Sequence, residues 1–135
     1  MGLHTILIAD DDVSLLEALK VRLEAEQFTV IAVQDAYQAL EQARLHEPDL
    51  LVLDINMPAG NGLSVQHRID RIEELAGTPV IYVTGANPDS VNWKAAASDS
   101  YAVLHKPFDT DRLMDAIRGA LGYWTEPSDV HLAHV

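Results

Sequence analysis

The residues of this chain best suited to phosphoryl or metal chemistry all stand where an apolar run stops. "LIADDD" places Asp10, Asp11 and Asp12 behind a hydrophobic stretch, "LLVLD" closes on Asp54, "VIYVT" on Thr84 and "AVLHK" on Lys106. Like charges about 4 Å apart repel by roughly 4 kcal/mol at a near-surface dielectric. Converging carboxylates raise one another's pKa unless a cation lies among them. Mg²⁺ meets that need, because it takes oxygen ligands, keeps waters and joins carboxylates to phosphate oxygens. A carboxylate is also a nucleophile toward phosphorus, giving an aspartyl phosphate. An ammonium such as that of Lys106 then neutralises a phosphate oxygen, and a hydroxyl such as that of Thr84 hydrogen-bonds to one.

Placing these groups together requires particular elements. Apolar runs at residues 4–9, 28–33, 49–54, 79–84 and 101–105 read as strands, the third so apolar that it predicts a central parallel strand covered on both faces. Helical spacing fills the intervals: Leu16, Leu19 and Leu23; Ala36, Ala39, Leu40 and Ala43; Val65, Ile69 and Ile72; and Leu113, Ile117 and Leu121. Residues 88–98 make a poorer, polar helix. Asp12 and Asp109 stand where helix caps belong. Five βα units with short links predict a single α/β domain, a doubly wound parallel sheet between two helix layers. If the strand order is 2-1-3-4-5, strands one and three flank the switch point, and their carboxyl ends form the crevice where ligands bind.

Bulk properties narrow the function classes. The 135 residues, 48% of them hydrophobic, suit one domain with one core. No run is long enough to span a bilayer, and the start of the chain lacks a basic leader, so neither membrane insertion nor a signal peptide is expected. The absence of cysteine fits a cytoplasmic location. A net charge of −12 argues against direct nucleic-acid binding. Periodicity stops after Gly122, so residues 1–122 are expected to form the domain and 123–135 a tail or the start of a linker. Tyr123 and Trp124 are the residues there suited to docking back on the body.

The segments "ILIADDD", "LLVLDINMPAGNGL", "PVIYVTG" and "VLHKPFD", in this order and spacing, resemble the receiver domain of two-component response regulators (CheY-like) over about residues 4–121. The resemblance implies the α/β flavodoxin-like (βα)₅ doubly wound fold with strand order 2-1-3-4-5, and it implies that Asp54 is the phosphoacceptor of a His-Asp phosphorelay. It also implies that Asp10, Asp11, Asp54 and the backbone carbonyl of Asn56 hold Mg²⁺ (or Mn²⁺). Thr84 and Lys106 become the switch hydroxyl and the phosphate partner, and Lys106–Pro107 a cis peptide. The implied donor is a histidine kinase or a histidine phosphotransferase. Phosphorylation would rearrange the face of helix 4, strand 5 and helix 5, which also leaves a homodimer through that face open. The downstream target or output domain is not indicated. Such a protein is not a conventional enzyme, since its chemistry acts only on its own aspartate.

Two positions depart from the pattern. Val103 stands where the family carries an aromatic switch residue. Tyr101, two residues earlier, is expected to share that strand face by alternation and could substitute in part, but the simpler reading is that the aromatic coupling is absent or altered. Asn56 and Ala86 stand at the positions that tune loss of the phosphoryl group; Asn56 could orient a water and Ala86 could not. Two rivals are weighed. A Mg²⁺-dependent phosphatase with an aspartate nucleophile, of the haloacid-dehalogenase kind, expects a second aspartate two after the first, where this chain has Asn56. A phosphorylation-independent interaction module (a pseudo-receiver) does not need the intact acid, threonine and lysine set.

Overall fold

The computed structural model describes residues 4–57, 60–85 and 100–123. Five parallel strands form the sheet: β1 (Thr5–Ala9), β2 (Thr29–Val33), β3 (Leu50–Asp54), β4 (Val80–Thr84) and β5 (Ala102–His105), in the spatial order β2-β1-β3-β4-β5. This is the doubly wound order expected from the sequence. The pairing sets Ala9 beside Leu53, Asp54 beside Val83 and Thr84 beside His105, so the carboxyl ends of β1, β3, β4 and β5 lie along one edge. A two-residue antiparallel pair, Asn56–Met57 with Gly60–Asn61, follows β3 outside this sheet.

Helices α1 (Val13–Ala25), α2 (Ala36–His46), α3 (Gly62–Asp70) and a C-terminal helix (Thr110–Ala120) cover the two faces. Alternation along each strand divides the core. Leu7, Ala9, Leu51, Leu53 and Tyr82 pack with the layer of α2 and α3, whereas Ile6, Ile8, Val52, Ile81 and Val83 pack with α1 and the C-terminal helix. Every residue of β3 is buried, as its apolar sequence requires of the central strand. Ile72, expected on the third helix, instead precedes a short 3₁₀ turn at Glu73–Leu75, so α3 is shorter than its periodicity suggested. No helix of the described residues is long and apolar enough to cross a membrane. The helix expected at 88–98, Ala86 and residues 124–135 lie outside the described residues.

Aspartates start three of the helices. The Asp12 side chain accepts from Leu15 N (3.2 Å), Asp35 from Gln38 N (2.8 Å) and Asp109 from Asp111 N (2.9 Å). Each satisfies a donor that the first helical turn leaves without a partner. Asp35 is not among the acids that converge at the strand ends, so its substitution isolates this contribution. Asp35→Ala is expected to lower stability by about 1 kcal/mol, read as a shifted urea midpoint with an unchanged slope.

Tyr123 docks on the body as its sequence suggested. Its hydroxyl lies 2.9 Å from His4 Nδ1, and its ring centroid lies 5.7 Å from that of Phe28. Tyr101 does not behave as expected. It lies one residue before β5, outside the alternation of that strand, and its ring lies against Gly119 of the C-terminal helix. Val103 packs with the opposite layer, so the two residues do not share a surface.

Candidate functional site

The loop after β1 is built by its aspartates. Asp10 continues the ladder beyond β1, its N–H donating to Val33 O at 3.1 Å, and the residue is 2% exposed. Asp10 Oδ1 accepts from Asp12 N at 2.9 Å, folding the chain back into α1. Asp12 is thereby turned to its capping task, while Asp11 between them is exposed. After β3 the same device recurs. Asp54 is 5% exposed and its Oδ1 accepts from Asn56 N at 3.0 Å. Aspartate side chains commonly bond the backbone two residues on, and both sites use that local turn to fix a carboxylate at a strand end.

The oxygens left over converge. Lys106 Nζ lies 2.8 Å from Asp10 Oδ2 and 3.2 Å from Asp54 Oδ2, so one ammonium bridges two buried carboxylates. Lys106 is delivered by the end of β5, where its N–H donates to Thr84 O at 2.7 Å, and the Lys106–Pro107 peptide is cis. Single carboxylate oxygens of Asp10, Asp11 and Asp54 all lie within 4.8 Å of one another. Thr84 ends β4 with its residue fully buried, one strand from Asp54.

The electrostatics follow from burial. Desolvation holds the Asp54 carboxyl above the usual carboxylate range, and the charge of Asp10 adds to that. The Asn56 N–H and Lys106 pull in the other direction without cancelling it. Burial alone would lower the Lys106 ammonium, but its hydrogen bond to Asp10 and the charges of Asp54 and Asp10 outweigh burial and raise it. Lys106 therefore stays charged across the physiological range. Three carboxylates against one ammonium leave the cluster short of positive charge. Its donors are hard oxygens without imidazole or thiolate, the set that suits Mg²⁺ or Mn²⁺.

The structure thus brings together Asp10, Asp11, Asp54 and Lys106, with the Asn56 backbone on Asp54 and Thr84 at the neighbouring strand end. The sequence did not reveal that Lys106 engages both buried aspartates at once, since this depends on β1, β3 and β5 ending level. It also did not reveal a buried hydrogen bond from the Tyr82 hydroxyl to Gln66 Oε1 on α3. The only signal for that contact was a glutamine beside the apolar Val65 and Ile69 stripe.

The chain is similar to known proteins over most of its length. The family model described as the response regulator receiver domain matches residues 6–118. Transcriptional regulatory protein CpxR of Escherichia coli K12 is 37% identical over 128 residues, covering 92% of this chain and 53% of CpxR. Response regulator GtcR of Aneurinibacillus migulanus is 36% identical over 105 residues, covering 78% of this chain and 42% of GtcR. The chain therefore spans about half the length of these curated relatives. Among solved structures, a CheY-like response regulator receiver domain protein from Methanospirillum hungatei JF-1 superposes with a TM-score of 0.82 at 27% identity, over 90% of this chain and 95% of that one. The signal receiver domain of an HD domain-containing protein from Pseudomonas fluorescens Pf-5 gives 0.81 at 29% identity, over 90% and 97%.

Proposed function

The chain belongs to the response regulator receiver domain family, and from that premise we propose that it accepts a phosphoryl group on Asp54 in a His-Asp phosphorelay. The observation that carries this reading is the convergence of Asp10, Asp11 and Asp54 within 4.8 Å, with Lys106 bridging two of them. Asp10, Asp11, Asp54 and the Asn56 carbonyl would hold Mg²⁺ or Mn²⁺, which supplies positive charge to phosphoryl oxygens when bound.

In the transfer, an Asp54 carboxylate oxygen attacks the phosphorus of a phosphohistidine on a histidine kinase or phosphotransferase. The new P–O bond forms as the P–N bond breaks, and the departing imidazole keeps the electron pair and takes a proton from water. Lys106 Nζ, already 3.2 Å from Asp54 Oδ2, would shift its contact to the oxygens of the incoming group. The Thr84 hydroxyl would provide a further hydrogen bond as that end of β4 adjusts. Asn56, exposed beside Asp54, is placed to orient a hydrolytic water.

The domain acts on its own aspartate and turns over no separate substrate. It works in the cytoplasm, and its output passes through the face of β5 and the C-terminal helix to a protein target or a further domain. Incubation with Mg²⁺ and acetyl phosphate, followed by intact mass, tests the reading. One phosphoryl adduct is expected, absent in EDTA and mapped by peptide digestion to the segment holding Asp54. If neither acetyl phosphate nor phosphoramidate gives an adduct, the pseudo-receiver reading replaces this one.

A further inference from the structure

Among the described residues, the buried polar or charged side chains are those of Asp10, Asp54, Thr84 and Gln66. Three of them belong to the site at the strand ends. Gln66 does not, and its amide oxygen accepts from the hydroxyl of the fully buried Tyr82. The pair lies in the layer between the sheet and α2 and α3, among Leu53, Val65 and Ile69.

Stability alone does not account for a tyrosine and a glutamine here. A buried hydroxyl and amide gain little net free energy from bonding one another, and two apolar residues of similar shape would pack as well. What a directional bond adds is geometry, because apolar contacts tolerate sliding and rotation that a hydrogen bond does not. Here such a bond joins α3 to β4. Helix α3 starts at Gly62, directly after the Asn56–Met57 and Gly60–Asn61 pair, so the seat of the helix also sets that hairpin. The first residue of the hairpin, Asn56, donates its N–H to Asp54 Oδ1. At the other end of the contact, Tyr82 stands two residues before Thr84 on the same strand and, by alternation, the same face.

We propose that the Tyr82–Gln66 hydrogen bond is a positioning contact, holding α3 and the hairpin in the register that orients Asp54 and brings the Asn56 backbone to the metal side of the crevice. This rests on the phosphoacceptor reading above. It assigns to a residue pair outside the crevice a share in shaping it.

The test uses Tyr82→Phe, Gln66→Leu and the two combined. Two quantities are read: Mg²⁺ affinity by calorimetry with MgCl₂ alone, and hydrogen exchange at the Asn56 amide. The single variants and the double variant are all expected to weaken Mg²⁺ binding by about five-fold, just below the usual range for outer-shell changes. Faster exchange at Asn56 should accompany it. The double variant serves as the control for stability, since the apolar pair is expected to restore the thermal midpoint without restoring either readout. Wild-type Mg²⁺ affinity together with wild-type Asn56 exchange in the double variant would overturn the proposal. If the parent protein itself binds no Mg²⁺, the phosphoacceptor reading fails, and Asn56 exchange alone then decides whether the contact positions the hairpin.

Discussion

Asp54→Asn is expected to take up no phosphoryl group from acetyl phosphate and Mg²⁺, and in EDTA near neutral pH to melt above the parent protein. The first effect follows from the chemistry, since an amide lacks the anionic oxygen that attacks phosphorus. The second follows from burial. The Asp54 carboxyl is held above the usual carboxylate range because desolvation and the charge of Asp10 outweigh Lys106 and the Asn56 N–H. A carboxylate whose folded-state pKa lies above its unfolded one is ionised at a cost to folding wherever the pH exceeds both values. That cost is fully present above the raised folded value and is relieved as the pH falls through it toward the unfolded one. The advantage of Asp54→Asn in thermal midpoint should therefore be largest at neutral pH and shrink on acidification through that window. Equal midpoints at pH 7 would mean that the Lys106 contact offsets the desolvation of Asp54. Mg²⁺ should narrow the gap as well, because it stabilises the parent by binding the folded state and the variant has lost a ligand.

Lys106→Met carries the other large expectation. The methionine keeps the apolar stem and removes the ammonium that lies 2.8 Å from Asp10 Oδ2 and 3.2 Å from Asp54 Oδ2. Asp10 and Asp54 would then face each other, both buried, with no cation between them. Leaving buried charged groups without their partner is far more costly than the bond itself is worth, so a loss of about 2 kcal/mol is expected in EDTA. Urea denaturation with and without MgCl₂ checks this. Most of the loss should be recovered in Mg²⁺, because a divalent ion supplies the missing positive charge. The loss should also diminish as acid protonates the carboxylates. A loss that ignored both metal and pH would assign Lys106 to packing and not to charge balance.

Much of the architecture was legible before any coordinates. The period-2 and period-3.6 runs located each described strand to within a residue or so, because burying β3 on both faces leaves almost no alternative to "LLVL". Aspartates at 12 and 109 marked helix starts, since capping is a local interaction that sequence spacing encodes. The local Asp-to-backbone turns at Asp10 and Asp54 were equally within reach, as each spans two residues. Tyr101 and Ile72 were placed wrongly for one shared reason. Each stands just outside a regular element, Tyr101 before β5 and Ile72 after α3, where periodicity no longer dictates direction.

The sequence by itself determined which residues end the strands, where the capped helices start and the chemical character of the group gathered at the crevice. Those properties are carried by hydrophobic period, caps and residue type, all of which act over a few positions. The tertiary structure alone decided that one ammonium serves both Asp10 and Asp54, that Tyr101 faces the C-terminal helix and that Tyr82 reaches Gln66. Each of these pairs lies far apart along the chain, and its distance is set by how strands and helices stack. Side-chain packing across layers depends on the combined placement of several elements, and no local pattern in the sequence records it.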